Sequence, residues 1–192
     1  MTTALFIIDV QNDFTEGGAL GVEGGAAVAA GISRLLAQHP QRYDHVFASR
    51  DWHDAVGDNG GHFAVGAVPD FVNTWPAHCV ADTTGAEYHP WLDTDAVTVH
   101  VRKGQGKPGY SIFEGTTEDG HTVADTLDQL GVLDIDLVGI ATDYCVRASA
   151  LDALEHGRRV RVLTDLIAGV AAASSEAALH ELVQAGVELT SA

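Results

Sequence analysis

Cys145 is the side chain best placed to act as a nucleophile. It follows the apolar run LVGI through the turn ATDY and falls in the first turn of a helix-like segment. Unpaired backbone N–H groups and the helix dipole favour a thiolate there. A cysteine is also an ordinary small apolar core residue, so its company has to decide between the two. Asp9 ends an otherwise apolar strand, where a buried carboxylate needs a proton or a charged partner. The chain has only two lysines, Lys103 and Lys107, and Lys103 falls at a strand end in a segment short of charge. An ammonium there is suited to pair with Asp9 and to steady a thiolate. Asp9, Lys103 and Cys145 together follow the logic of a nucleophile, its base and an orienting group.

A second constellation suits a cation. Asp51 and His53 are two residues apart at the end of an extended run, so their side chains project from the same side. His62 and His78 lie in the loop that follows. One carboxylate with up to three imidazoles fits one divalent ion, Zn, Fe or Mn, with positions left open for water or substrate. The chain has ten histidines. His39, His45, His89, His100, His121, His156 and His180 are taken as surface or structural residues, and Cys79, beside His78, as structural.

These residues must be brought together by the elements that carry them. Short β-like runs alternate with helix-like periodic segments, the pattern of an α/β fold with a mainly parallel sheet. Residues 4–8 read as a buried strand ending at Asp9, and 26–38 as a helix with Val28, Ile32, Leu35 and Leu36 on one face. Strands follow at 45–49, which delivers Arg50, Asp51, Trp52 and His53, and at 96–101, which delivers Lys103. Between them, residues 54–95 form a long irregular stretch. Its Phe63, Phe71, Trp75 and Trp91 argue against disorder. After a Gly-rich loop at 104–120, helices are expected at 121–131 and 144–157 and strands at 134–140 and 160–163. A final helix opens at Ser174 or Ser175 and closes near Gly186, before a last strand, VELT. In open parallel sheets ligands bind outside the carboxyl ends of the strands. That rule gathers Asp9, Asp51, His53, Lys103 and Cys145.

Composition narrows the partners. With 27 acidic and 10 basic side chains, a net charge of −17 opposes binding to nucleic acid or an anionic membrane. The opening MTTALFIIDV has neither the basic region nor the apolar length of a signal peptide, and no run is long enough to span a bilayer. The expectation is a cytoplasmic protein, a monomer or small homo-oligomer, with both cysteines reduced. No repeat or linker divides the chain, so residues 1–192 are expected to form a single domain.

Six blocks occur in order along nearly the full length: IIDVQNDFTEGGAL, SRDWH, WPAHCV, VRKG, YSIFEG and GIATDYCVRASALDAL. In these the chain resembles the nicotinamidase/pyrazinamidase branch of the isochorismatase-like cysteine hydrolases. The resemblance implies a three-layer α/β/α fold around a six-stranded, mainly parallel sheet, and a cis peptide before Ala141. It implies a triad of Asp9, Lys103 and Cys145, with the N–H groups of Ala141 and Cys145 as the oxyanion hole. Asp51, His53 and His78 would be metal ligands, with His62 as a fourth, although the loop from Asp54 to Val72 does not align without gaps. Phe14, Trp75, Tyr110, Ile140 and Tyr144 would wall a flat pyridine ring. The implied reaction is hydrolysis of nicotinamide, and of pyrazinamide, through a cysteine thioester, in NAD salvage. Two other readings compete: a sibling hydrolase acting on another small amide or ureide, and a non-catalytic metal-binding or redox-sensing protein.

Overall fold

The computed structural model describes residues 2–192. Its sheet has seven strands: β1 (Thr2–Ile8), β2 (His45–Asp51), β3 (Val99–Lys103), β4 (Thr116–Thr117), β5 (Val132–Ile140), β6 (Arg159–Ala168) and β7 (Glu188–Thr190). The order is β4-β3-β2-β1-β5-β6-β7. All neighbours are parallel except the two-residue β4, which pairs antiparallel with β3 and makes the seventh strand where six were expected. The helices are α1 (Gly25–Gln38), α2 (Val123–Leu130), α3 (Arg147–Glu155) and α4 (Ala172–Ala185).

The unbroken apolar run of β1 follows from burial on both faces. Ala4, Phe6 and Ile8 join a core with residues of α2, α3 and α4, while Leu5 and Ile7 join another against Val28, Ala29, Ile32 and Leu35 of α1. Phe6 is fully buried, with its ring 5.1 Å from that of Phe47 and 6.0 Å from that of Phe113. Phe6→Ala should therefore destabilise the fold by about 3–5 kcal/mol through lost burial and an unfilled cavity. The check is the midpoint of urea unfolding, and a loss below about 1 kcal/mol would contradict this packing.

Several boundaries differ from expectation for identifiable reasons. β2 runs two residues longer, through Asp51, and β3 spans Val99–Lys103 rather than 96–101, because the parallel register pairs Asp51 with Lys103. The expected helix over 144–157 is a wide π-type turn, Thr142–Val146, followed by α3. α4 opens at Ala172, ahead of both serines. The carboxylate of Asp143 accepts the Val170 and Ala171 N–H groups (2.9 and 3.3 Å) and the Ser174 hydroxyl (2.6 Å), so the cap comes from the β5–α3 connection. β6 continues past 163 to Ala168. The 54–95 stretch is tied down by bridges from His53 to Val80, Phe63 to Trp75 and Gln11 to Tyr88. Phe63 and Trp75 are buried in it, whereas Phe71 and Trp91 are exposed. Among the described residues no helix is long and apolar enough to cross a membrane.

The chain winds from β1 outward to β3 and then returns to the other side of β1 as β5. The crevice outside the carboxyl ends of β1 and β5 is the switch point at which such sheets bind ligands.

Candidate active site and metal centre

Asp9 leaves the end of β1 with φ 48, a left-handed conformation that aspartate tolerates better than most residues. Beside it, Ile8 pairs with Gly139 of β5. Gly139 has φ 118, and a Cβ there would stand 2.1 Å from the Ile8 carbonyl oxygen, so glycine is what lets the two strand ends close up. The peptide between Ile140 and Ala141 is cis. The Ala141 carbonyl then accepts the N–H groups of Tyr144 (3.0 Å) and Val146 (3.1 Å), and the turn so formed presents Cys145.

Asp9, Lys103 and Cys145 meet here. Lys103 Nζ lies 2.8 Å from Asp9 Oδ2, donates to Asp51 Oδ1 and to the Gly109 carbonyl (3.0 Å), and approaches Cys145 Sγ at 3.7 Å. Cys145 and Asp9 thus stand on either side of the same ammonium. Ser49 was not singled out from the sequence, yet its hydroxyl donates to Asp9 Oδ1 at 2.7 Å and accepts the Asp9 N–H at 3.3 Å. The available signal was its spacing of two before Asp51, which puts both on one face of β2. Gln11 was also missed. Its side-chain amide accepts the Asp51 N–H (2.8 Å) and donates to the carbonyls of Asp51 and Ala86 (both 2.9 Å), extending the sheet's hydrogen bonding with a side chain.

One ammonium thus serves two carboxylates, which come to differ. Burial raises the Asp9 carboxyl above its ordinary value; Lys103 opposes this and Asp51 adds to it. Burial pushes Asp51 up too, but Lys103, His53 and His78 outweigh it and hold Asp51 well below the carboxylate range. Burial pulls Lys103 down, yet Asp51, Asp9 and Cys145 together keep it well above the ordinary lysine value. The Cys145 thiol is pushed up by burial, with Lys103 opposing and Asp9 and Asp51 reinforcing. Burial and the two carboxylates thus oppose the thiolate that a helix terminus and Lys103 favour, and of the two carboxylates Asp9 is shifted up and Asp51 down.

On the far side of Asp51, ring nitrogens of His53, His62 and His78 all lie within 4.8 Å of one another. Asp51 Oδ2 is 3.6 Å from His53 Nε2 and 3.9 Å from His78 Nε2. His53 Nδ1 lies 2.7 Å from the Gly104 carbonyl and His78 Nδ1 2.8 Å from the Pro76 carbonyl, so each Nδ1 carries the hydrogen and leaves Nε2 as the free lone pair. Gly104 has φ 78, and a Cβ there would stand 2.5 Å from the His53 ring. Burial, then the neighbouring His53 and His78, push His62 down to about 4. Burial also lowers His78, with Asp51 opposing. Neutral imidazole is the metal-binding form. His53 Nε2 and His62 Nδ1 are buried without a hydrogen-bond partner. Such orphaned atoms are costly unless something is bound to them, and a divalent cation fits this donor set.

Both groups open onto one cavity of about 440 Å³, which is lined by Phe14, Trp75, Tyr110, Ala141, Tyr144 and Cys145 together with Asp51, His62 and His78. Trp75 stands edge-on to Tyr144 at 5.2 Å and donates its indole N–H to the Tyr110 hydroxyl at 3.1 Å. Ile140 is not in this wall. It shares the parity of Val138 along β5, so its side chain faces the α1 core beside Gly25. Leu20, Val22, Phe71 and Val170 also line the cavity but carried no chemical signal in the sequence. Cys79 is fully buried and forms no disulfide; its N–H donates to Asp13 Oδ2 at 2.7 Å, which pins the loop that carries His78.

Comparison with known proteins gives a consistent result. Residues 3–192 match the isochorismatase domain. The chain is 50% identical to the nicotinamidase/pyrazinamidase of Mycobacterium tuberculosis over 186 residues, 97% of each chain. Among solved structures, the pyrazinamidase of Pyrococcus horikoshii in complex with zinc superposes with a TM-score of 0.84 at 35% identity over 100% of both chains. The PnC1 protein of L. infantum in complex with nicotinate superposes with a TM-score of 0.85 at 35% identity, over 99% of this chain and 92% of the other.

Proposed function

The chain belongs to the isochorismatase family, and we propose that it hydrolyses nicotinamide, and pyrazinamide likewise, to the carboxylic acid and ammonia, a step of NAD salvage. The observation that carries this reading is the placement of Cys145, backed by Lys103 and Asp9, in the wall of an aromatic cavity that Asp51, His62 and His78 also line.

Asp9 takes the proton of the Cys145 thiol, and the sulfur attacks the carboxamide carbon. The carbonyl oxygen gains the negative charge and receives the N–H groups of Ala141 and Cys145. Asp9 returns its proton to the amide nitrogen, the C–N bond breaks and ammonia leaves, with a thioester on Cys145. A water then attacks the thioester carbon as Asp9 takes its proton. The C–S bond breaks, the sulfur regains the proton and nicotinate is released. Lys103 holds a positive charge beside the sulfur and Asp9 through both halves. Phe14, Trp75, Tyr110 and Tyr144 hold the ring and keep water from its faces.

Asp51, His53, His62 and His78 would hold one divalent ion; Zn, Fe and Mn all suit one carboxylate with three imidazoles. When bound, such an ion supplies a positive pole that orients a Lewis-basic ring nitrogen.

The test is direct. The purified protein, incubated with nicotinamide, should release ammonia and nicotinate in equal amounts, and a chelator should lower the rate, with recovery on adding back zinc, iron or manganese. A folded, metal-loaded protein that leaves nicotinamide intact but hydrolyses another small amide or ureide would move the assignment to a sibling activity within the family.

A further inference from the structure

Phe71 stands where neither the triad nor the metal ligands reach. Its ring lines the cavity yet is 52% exposed, whereas Trp75 and Cys145 are each only 6% exposed, so Phe71 belongs to the mouth. It meets Trp75 at 6.1 Å with the rings at 84°, an edge-to-face contact that continues the aromatic wall outward. Its backbone has φ 56, a conformation a bulky residue does not adopt unaided.

The cause is the residue before it. One oxygen of Asp70, Oδ1, accepts three successive N–H groups, those of Val72 (2.9 Å), Asn73 (2.8 Å) and Thr74 (2.8 Å). The Asp70 N–H donates to Thr74 Oγ1 at 3.0 Å, and the Phe71 N–H to the Thr74 carbonyl at 3.0 Å. The chain is knotted around one carboxylate, and the product of the knot is the direction of the Phe71 ring.

We propose that Phe71 is a specificity-determining residue of this site, a cap over the ring edge farthest from the carboxamide, and that Asp70 is the positioning residue that aims it. This rests on the amidase reading above: with the carboxamide at Cys145, the opposite edge of the ring points to the mouth. A substrate without a substituent on that edge gains the Phe71 contact. A substrate with a bulky apolar substituent there collides with the ring, and the cost falls on binding rather than on the bond-breaking steps.

The experiment compares nicotinamide with a nicotinamide carrying a propyl group on ring carbon 6, opposite the carboxamide, using the metal-loaded full chain. In the parent, kcat/KM should favour nicotinamide. Phe71→Ala should raise KM for nicotinamide about three- to tenfold through loss of the ring contact, leave kcat within about twofold, and shrink the preference over the propyl compound by about tenfold or more. Phe71→Leu, which keeps bulk at the mouth but not the aromatic ring, should keep most of the preference over the propyl compound while still raising KM for nicotinamide. Asp70→Ala should shift the preference in the same direction, Asp70→Asn, which keeps an acceptor oxygen, should restore it, and Asp70→Ala added to Phe71→Ala should change nothing further. An unchanged preference in Phe71→Ala, in a parent that hydrolyses nicotinamide, overturns the cap and leaves the amidase reading standing. An equal shift by Asp70→Ala with and without the Phe71 ring overturns its positioning role. A parent inert toward nicotinamide removes the reading and this inference together.

Discussion

Cys145→Ala is expected to abolish measurable ammonia release from nicotinamide while leaving the fold and the metal content at parental levels. The side chain is small and 6% exposed, and it sits in a turn held by backbone bonds to the Ala141 carbonyl, so its loss costs little packing. What disappears is the sulfur proposed to form the acyl bond. Removing a nucleophile that works as a unit with its base costs on the order of a millionfold in rate, far beyond the roughly hundred- to thousandfold loss of one oxyanion donor. The measurement is ammonia release by parent and variant matched for circular dichroism and metal content. Turnover within tenfold of the parent would remove Cys145 from the mechanism. Binding supplies a second readout: the variant should still take up nicotinate, because the aromatic wall and the histidine cluster do not depend on the sulfur.

The second large effect concerns the metal. His53→Ala should lose most of the bound ion and raise the nicotinamide concentration needed for turnover steeply. His53 is completely buried, its ring is oriented by the Gly104 carbonyl, and its Nε2 has no hydrogen-bond partner. Altering only the hydrogen-bonding neighbours of a ligand weakens metal affinity by about 10–100-fold, and deleting the ligand itself should exceed that. Asp51→Ala should also lose metal, with a further consequence: it strips Lys103 of one of its two carboxylates and so disturbs the nucleophile as well. His53→Ala leaves the contacts of Lys103 with Asp9, Asp51 and Cys145 in place. Elemental analysis of the purified variants decides the matter. Metal content equal to the parent's in both would show that the ion is held elsewhere.

The two effects separate because the site has two halves joined at Asp51. One oxygen faces Lys103 and the other faces the histidines. A single carboxylate thus touches both the Lys103 ammonium and the histidine cluster.

Much of this was legible in the chain. The apolar runs of β1 and β5 and the periodic faces of α1 announce an α/β sheet, because burial on both faces of a strand and on one stripe of a helix leaves different spacings. Asp9, Asp51 and Lys103 stand out because each falls at or just after the end of a β-like run, and position relative to strand ends predicts convergence. The six ordered blocks pointed to the family that the comparisons support.

What the sequence determined by itself is the kind of fold, the family and the set of chemically capable side chains, since these follow from local spacing and residue type. The tertiary structure alone decided how those side chains share their partners. No local pattern shows that Ser49 and Lys103 divide Asp9 between them, that Gln11 copies a strand to hold Asp51, or that Ile140 faces α1 rather than the cavity. Nor does it show that burial and two carboxylates brought from β1 and β2 push the Cys145 thiol up while Lys103 opposes them. Parity along β5, register between β2 and β3, and the close approach of β1 to β5 at Gly139 are long-range quantities. They exist only once the sheet has formed, and the electrostatics of the site is built on them.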